Sequence, residues 1–258
     1  MKLTDIRHII KFSGKESKRL DDKVASEYPI TLYINDNEIT TFLCSPLMIN
    51  ELSIGFMLSE GWIKEKRDIK DIEYSPIDGI VKITLKEFRL NKGGDKGNII
   101  MSGCGRGIAA NFLKDLNKGD MIKSELRTDV KKIYSIMNEF SRMSQTYKET
   151  GGVHSSALWD GDKILVFAED LGRHNAVDKV FGYSFMNDID TRDKVLLTSG
   201  RISSEILVKC LKRDIPIIIS RNAPTNLSVD LAILLGITLA GFVRGERMNI
   251  YAWSERII

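Results

Sequence analysis

The chain has 258 residues, of which 43% are hydrophobic and 28% are charged, and its formal net charge is +3. This composition is typical of a globular protein with a sizeable core, and so small a positive charge gives no reason to expect DNA or RNA as a partner. The three cysteines, Cys44, Cys104 and Cys210, are far apart and form no CxxC pair. That spacing favours a reducing compartment and argues against a disulfide framework or a structural zinc site.

The N-terminal residues 1–27 are polar and charged, and they predict a surface segment that is partly ordered at best. They lack the continuous apolar core of a secretory signal. The most apolar stretch, residues 231–243, is too short to span a bilayer and contains Gly236 and Gly241. We therefore expect a cytoplasmic protein with no membrane partner.

The first third of the chain predicts a small mixed unit of strands and one helix. Alternating apolar residues and turn residues predict two hairpins, formed by residues 28–35 with 38–44 and by residues 69–74 with 80–85. Ser45-Pro46 predicts the start of a helix that ends at Gly61. Cys44, next to this start, is predicted to be a small buried residue. We assign residues 1–95 to a β-rich N-terminal unit and find no chemical motif in it.

A glycine-rich stretch around Cys104 follows this unit. Ser-Gly-Cys-Gly-Arg-Gly at residues 102–107 predicts a mobile loop with unusual backbone dihedrals. A thiol in such a loop is accessible, and both Arg106 and the N-terminus of a short helix predicted at residues 108–116 would favour the Cys104 thiolate. Two interpretations remain open, a reactive thiol or a connector that contains a cysteine by chance.

The middle of the chain combines a core helix with a polar run. Apolar residues at helical spacing predict a helix at residues 129–143. Gly-Gly-Val-His at residues 151–154 leads into a strand, and residues 164–168 predict the next one. Seven of the eleven side chains at residues 169–179 are polar or charged, at the point where this strand opens into a helix. Such clusters are common around ligands.

The last third alternates apolar strands with helices. The predicted strands are residues 195–198, 216–219 and 237–243, and the predicted helices are residues 203–211 and 226–235. Strands that are apolar throughout are typical of a parallel sheet that is covered on both faces. Because parallel strands end at one edge, the segments 199–201, 220–222 and 242–247 are expected to meet there.

This edge predicts an anion-binding crevice. It would gather four arginines, namely Arg201, Arg221, Arg244 and Arg247. Helix N-termini near Ser203 and Thr225 would add backbone N–H groups, and Phe242 could stack on a ring. Phosphate or pyrophosphate is the expected ligand. The alternative is that each arginine is a solvated loop residue.

Several of these segments together resemble the formate dehydrogenase accessory sulfurtransferases, the FdhD family. They are Gly-Gly-Val-His at 151–154, the polar run at 169–179, Thr-Ser-Gly-Arg at 198–201 and the close at 239–247, and the resemblance extends from residue 28 to the C-terminus. It implies a homodimer of mixed α/β fold, with a cytidine-deaminase-like three-layer core in residues 96–258. It also implies a function: persulfide sulfur passes from a cysteine desulfurase to the molybdenum or tungsten bis-guanine-dinucleotide cofactor, which formate dehydrogenase then receives.

The resemblance also assigns residues. The family's persulfide cysteine corresponds to Cys104. Its cofactor-binding segment corresponds to Phe242, Val243, Arg244, Gly245, Glu246 and Arg247, to which we add Arg173, His174, Arg201 and Arg221 as cofactor-binding candidates; no metal ligand is predicted. The family often has a second cysteine where this chain has Gly107, so a relay with a single thiol is expected.

The roles of the histidines and the reaction class have alternatives. His174 is a proton donor, a phosphate ligand or a core residue. His154 has similar alternatives, of which a binding role is preferred. Cys210 is expected to be inert packing. A cysteine hydrolase of a nucleotide, with Cys104 as nucleophile and His174 as base, is one rival function. A cofactor carrier without catalysis is another, whereas zinc deamination lacks its H-x-E and P-C-x-x-C ligands.

Overall fold

A computed structural model describes residues 1–87 and 121–258 of the chain. The predicted glycine-rich loop with Cys104 and the predicted helix at 108–116 lie outside these residues. Within them the chain forms three sheets and six α-helices, which confirms the mixed α/β prediction.

The elements are as follows in chain order. The strands are β1 Thr4–Ser13, β2 Glu16–Ala25, β3 Tyr28–Ile34, β4 Asn37–Cys44, β5 Ile69–Ser75, β6 Ile80–Leu85, β7 His154–Trp159, β8 Ile164–Asp170, β9 Val195–Thr198, β10 Ile217–Ser220, β11 Thr238–Arg244 and β12 Arg247–Ala252. The helices are α1 Ile49–Glu60, α2 Val130–Met143, α3 Gln145–Thr150, α4 Arg173–Met186, α5 Ser204–Leu211 and α6 Asn226–Leu235. None of the helices in the described ranges is long and apolar enough to cross a lipid bilayer.

The largest sheet has six strands in the order β12-β11-β10-β9-β7-β8. Strands β9, β10 and β11 are parallel, as predicted from their continuous apolar sequence. Strand β7 is antiparallel to both β8 and β9, and β12 is antiparallel to β11. The carboxyl ends of β8 to β11 and the amino ends of β7 and β12 therefore share one edge of the sheet.

Helices cover both faces of this sheet and produce a three-layer core. On one face, Ile133, Met137 and Phe140 of α2 belong to the same buried cluster as Leu197 of β9 and Ile219 of β10. On the other face, α4, α5 and α6 pack against the sheet through a second buried cluster. Burial on both faces explains why these strands carry no polar alternation.

The N-terminal residues form a separate four-stranded sheet in the order β4-β3-β6-β5, against which α1 packs. Both predicted hairpins, β3 with β4 and β5 with β6, are confirmed. On its other side α1 lies against α4, where a Cβ atom on Gly55 would come within 1.9 Å of the Asp178 carbonyl oxygen. The two helices thus touch backbone to backbone. The division of the chain at residue 95 stays a prediction.

Residues 1–27 lie on the surface as predicted, but the expectation that they are partly ordered at best is wrong. They form a regular two-stranded ribbon, β1 with β2, paired from Thr4 opposite Ala25 to Ser13 opposite Glu16. Alternation is hard to recognise there because both faces of the ribbon are largely exposed and charged residues flank its apolar ones. One face of the ribbon exposes the side chains of Ile6, Ile10 and Phe12 to solvent.

The predicted start of α1 at Ser45-Pro46 is also wrong. The helix begins at Ile49, and the preceding Met48 has a left-handed backbone with φ of 55°. The Ser45 backbone N–H instead donates a hydrogen bond to Asp170 Oδ2 at 3.1 Å. A distant carboxylate, rather than a local cap, fixes this turn. Helix α3 and strand β12 were not predicted.

A buried ion pair connects the N-terminal unit to the three-layer core. Lys179 Nζ lies 2.6 Å from Asp170 Oδ2, and both side chains have 0% exposure. Lys179 also donates to the carbonyl oxygens of Ser45 and Glu169, each at 3.1 Å. Asp170 Oδ1 accepts from the Gly172 N–H and from Asn175 Nδ2, each at 2.9 Å. Both charged groups are thus fully hydrogen-bonded.

We expect Lys179→Met to lower the free energy of unfolding by about 3–5 kcal/mol, because it leaves a buried carboxylate without its counter-charge. Adding Asp170→Asn should restore part of that loss. The control is Lys132→Met, which removes an exposed pair with Asp162 and should cost about 1 kcal/mol or less. Urea unfolding measures all three, and equal losses in the two single variants would contradict the expectation.

Candidate functional site

A cleft of about 500 Å³ opens at the edge that the carboxyl ends of β8 to β11 share with the amino ends of β7 and β12. We call it the edge pocket. It is lined by Phe140, Ser141, Ser144, Tyr147, Gly151, Gly152, Val153, His154, Ser155, Leu171, Ser199, Arg221, Asn222 and Arg244. Its position, outside the carboxyl ends of parallel strands, is the usual ligand position in open α/β sheets.

Hydrogen bonds fix the floor of the edge pocket around Ser199. Its hydroxyl accepts from the Ser155 N–H at 2.9 Å and lies 3.4 Å from His154 Nδ1. Its carbonyl accepts from Asn222 Nδ2 at 2.6 Å. The ends of β7, β9 and β10 are therefore held in one rigid arrangement beneath the cleft.

Two arginines line the wall of the edge pocket. Arg244 Nε donates to the Arg221 carbonyl oxygen at 3.2 Å, and its Nη2 lies 3.5 Å from Asn222 Oδ1. In the part of the chain that the structure describes, neither Arg221 nor Arg244 forms an ion pair with a carboxylate. The pocket thus presents two positive charges that are free to bind an anion.

The predicted segment 242–247 divides in the structure. Phe242 is 41% exposed and has a left-handed backbone with φ of 55°, within an irregularity of the β11–β12 pairing. Such a backbone costs a non-glycine residue about 1–2 kcal/mol. Val243 is buried in the core beside α2, so its side chain cannot touch a ligand. Gly245, Glu246 and Arg247 are exposed at the hairpin tip and do not line the pocket.

A second group of basic residues lies beside the edge pocket. We call His154, Arg173, His174 and Arg201 the basic cluster. A Cβ atom on Gly200 would come within 2.8 Å of Arg173 Cβ and 3.5 Å of His154 Nδ1, so these two side chains meet across a bare backbone. Of the cluster, only His154 also lines the edge pocket.

Both histidines of the basic cluster are uncharged at neutral pH. Burial, together with the nearby positive charges of Lys209 and Arg173 and the ring of His154, lowers the pKa of His174 to about 3. Burial lowers the pKa of His154 as well, with Arg173 and Arg201 acting in the same direction. His174 Nε2 lies 3.5 Å from Glu205 Oε2 but makes no hydrogen bond.

The helix N-termini at the edge differ in how they are capped. The Thr225 side chain accepts from the Ser228 N–H and closes a capping box on α6. No side chain caps α4, which begins after Gly172, or α5, which begins after Ser203. The free N–H groups therefore lie next to the basic cluster rather than at Thr225.

The polar run at residues 169–179 is mostly structural. Asp170, Asn175 and Lys179 form the buried network described above, and Asp178 pairs with the buried Lys209. Glu169 accepts a hydrogen bond from Thr146 Oγ1 at 2.9 Å beside the first turn of α3. Of this run, Leu171 lines the edge pocket, and Arg173 and His174 stand beside it in the basic cluster.

The described cysteines are not reactive. Cys44 and Cys210 are both fully buried and form no disulfide. Burial raises the pKa of Cys44 to about 12 and also raises the pKa of Cys210. The predictions that Cys44 is a small buried residue and that Cys210 packs in the core are confirmed. Cys104 lies outside the described residues, and among those described no three His, Cys, Asp or Glu side chains come together as a metal ion would require.

One wall of the edge pocket was missed by sequence reasoning. Phe140, Ser144 and Tyr147 of the α2–α3 junction line it, although the pattern of α2 indicated only core packing. The glycine pair at 151–152, directly after α3, was the available signal that the chain bends back toward the sheet edge here.

Comparison with known proteins gives a consistent result. The model of the FdhD/NarQ family matches residues 25–258. The sulfur carrier protein FdhD of Bacillus subtilis (strain 168) is 36% identical over 257 residues, covering 99% of this chain and 98% of that protein. The protein of the same name from Listeria monocytogenes serovar 1/2a is 36% identical over 264 residues, covering 100% of each.

A solved structure agrees over the whole chain. It is a crystal structure from Desulfotalea psychrophila, of a protein provisionally assigned as a formate dehydrogenase accessory protein. It superposes with a TM-score of 0.81 and 26% identity, covering 100% of both chains.

Proposed function

The chain belongs to the FdhD/NarQ family, and from this membership we propose that it is a sulfurtransferase. It carries persulfide sulfur from a cysteine desulfurase to the molybdenum or tungsten bis-guanine-dinucleotide cofactor that formate dehydrogenase uses. The bis-guanine-dinucleotide group is its substrate and not a resident cofactor. The supporting observation is that relatives named sulfur carrier protein FdhD match essentially the full length of the chain.

The edge pocket is the proposed site for a guanine-nucleotide arm of this substrate. Arg221 and Arg244 have no carboxylate partner among the described residues, and Asn222 supplies an amide between them. Pyrophosphate carries the opposite charge and accepts several N–H hydrogen bonds at once. The exposed ring of Phe242 stands on the same strand as Arg244 and offers a flat apolar surface to a base.

We expect Arg244→Met and Arg221→Met each to weaken binding of guanosine diphosphate by about tenfold to a hundredfold, since each removes a charge-assisted hydrogen bond. Isothermal titration calorimetry with guanosine diphosphate measures this. The control is Arg192→Met, because Arg192 pairs with Asp190 just before β9, at the opposite edge of the sheet. Equal affinities in wild type and the two pocket variants would show that the nucleotide does not bind in the edge pocket.

Cys104 is the proposed carrier of the sulfur. The chain has three cysteines, and the other two are buried thiols with raised pKa values, whereas only a thiolate is nucleophilic. A reducing compartment such as the cytoplasm suits a protein whose described cysteines are free.

Incubation with a cysteine desulfurase and cysteine should therefore add the mass of one sulfur atom to the wild-type chain. Cys104→Ala should abolish this gain, and Cys210→Ala, at the buried control cysteine, should retain it. Mass spectrometry of the intact protein reads the result. Absence of a gain in wild type would favour a carrier without catalysis, and release of free products from a nucleotide would favour a hydrolase.

A second copy of the chain is the proposed partner of the β1–β2 ribbon. A ribbon of two strands alone is marginally stable in water, yet this one exposes Ile6, Ile10 and Phe12 on one face to 58%, 56% and 70%. Pairing with the same face of a second ribbon would bury these residues.

We expect the wild type to be dimeric and Ile10→Lys to shift it toward monomer, because the charge would be buried at the interface. Ile77→Lys is the matched control, since Ile77 is 96% exposed at the β5–β6 turn. Light scattering across a concentration series measures the change. A monomeric wild type, or a dimer unaffected by Ile10→Lys, would contradict this interface.

A further inference from the structure

We propose that the basic cluster is a second anion subsite, which holds a small anion beside the nucleotide site rather than a phosphate of the nucleotide itself. The anion is an acceptor of N–H and O–H hydrogen bonds, either an oxyanion or the terminal sulfur of a persulfide anion. This inference rests on the proposed function in taking the edge pocket as the nucleotide site.

The local charge balance is positive without a ligand. Arg173 and Arg201 contribute two charges, and Glu205 is the carboxylate beside them. The histidines are neutral, and Lys209 is paired with Asp178. The uncapped N-termini of α4 and α5 each add about half a positive charge. The net charge at the basic cluster is thus about two positive charges. A bound anion would neutralise this charge.

Unpartnered polar atoms belong to Arg173 and His174 of the basic cluster and to Ser203, which precedes α5. Among the described residues, eight buried side-chain nitrogen and oxygen atoms have no hydrogen-bond partner, and three of them are Arg173 Nε, His174 Nε2 and Ser203 Oγ. Leaving such an atom unpaired costs about 1–3 kcal/mol. Arg173 Nε and the Ser203 hydroxyl are donors, and His174 Nε2 is a donor in one tautomer. A ligand that only accepts hydrogen bonds would satisfy all three.

The subsite is adjacent to the edge pocket but distinct from it. Arg173, His174 and Arg201 do not line that pocket. Ser199 faces the pocket, whereas the next residue, Gly200, packs against Arg173. His154 lines the edge pocket and also lies beside Gly200 in the basic cluster. A side chain at residue 200 would push Arg173 away, so the missing Cβ brings the cluster to the end of β9.

The three histidines of the chain provide the test. His8 is 93% exposed on the β1–β2 ribbon and is the internal reference. Ring ¹H–¹⁵N spectra of the full chain are recorded with sodium sulfate, or with sodium hydrosulfide under anaerobic conditions, against chloride at equal ionic strength. We expect the signals of His174 and His154 to shift and those of His8 to remain, and the pKa of His174 to rise from about 3 as the anion compensates the cations that lower it.

Two variants separate this subsite from the nucleotide site. Arg173→Met should weaken the anion affinity at least about tenfold, the loss expected for a charged hydrogen bond. Arg221→Met, which should lose guanosine diphosphate, should keep it. Because Arg201 is exposed, Arg201→Met preserves the fold and repeats the test if Arg173→Met does not fold. A response to sulfate alone identifies an oxyanion site, and a response to hydrosulfide, which stands in for the terminal sulfur of a persulfide anion, identifies a sulfur site.

Two results would overturn the proposal. The first is the absence of any anion-specific shift of His174 in the wild type. The second is displacement of the anion by guanosine diphosphate, since that would make the cluster part of the nucleotide phosphate site. Neither result bears on the proposal that the edge pocket binds the nucleotide. That proposal would be contradicted instead by an unchanged nucleotide affinity in Arg221→Met.

Discussion

The buried pair of Asp170 and Lys179 determines where the candidate site lies. Asp170 ends β8 and accepts hydrogen bonds from the Gly172 N–H and from Asn175, so it fixes the turn from which α4 begins. Because that turn is fixed, Arg173 stands in the first turn of α4, next to the end of β9. The same carboxylate holds the turn before α1 through the Ser45 N–H. One interaction therefore sets both the docking of the N-terminal unit and the position of the basic cluster, which is why its loss should disturb more than stability.

The directions of the strands bring the remaining site residues to the same edge of the sheet. Since β7 runs against β8 and β9, its first residue, His154, arrives at the edge where the parallel strands end. Among the described residues, that edge collects Arg221 and Arg244 without a carboxylate partner, a strained backbone at Phe242 and three buried polar atoms without a hydrogen-bond partner. Each of these features costs stability, and none improves the packing of the core. Such costs gathered at one place are typical of a ligand site.

The fold could be predicted from the sequence more fully than the functional site. Continuous apolar strands predicted the parallel part of the sheet, and that arrangement brought Arg201, Arg221 and Arg244 to one edge. The sequence alone could not show that Arg221 and Arg244 face the edge pocket while Arg201 lies with Arg173. The direction in which a side chain after a strand points depends on tertiary packing. The polar run at 169–179 was misleading for a related reason. Buried polar side chains that satisfy one another have the same composition as a ligand site, and only burial distinguishes them.

The distribution of thiols constrains any relay of sulfur. A persulfide on Cys104 could be discharged as a disulfide only by another accessible thiolate. The resemblance places a second cysteine where this chain has Gly107, and Cys44 and Cys210 are buried with raised pKa values. No internal reaction would then compete with delivery to the acceptor. An anion subsite next to the nucleotide pocket complements this arrangement, because the terminal sulfur of a persulfide anion accepts N–H hydrogen bonds until the acceptor attacks it and the cysteine leaves as a thiolate.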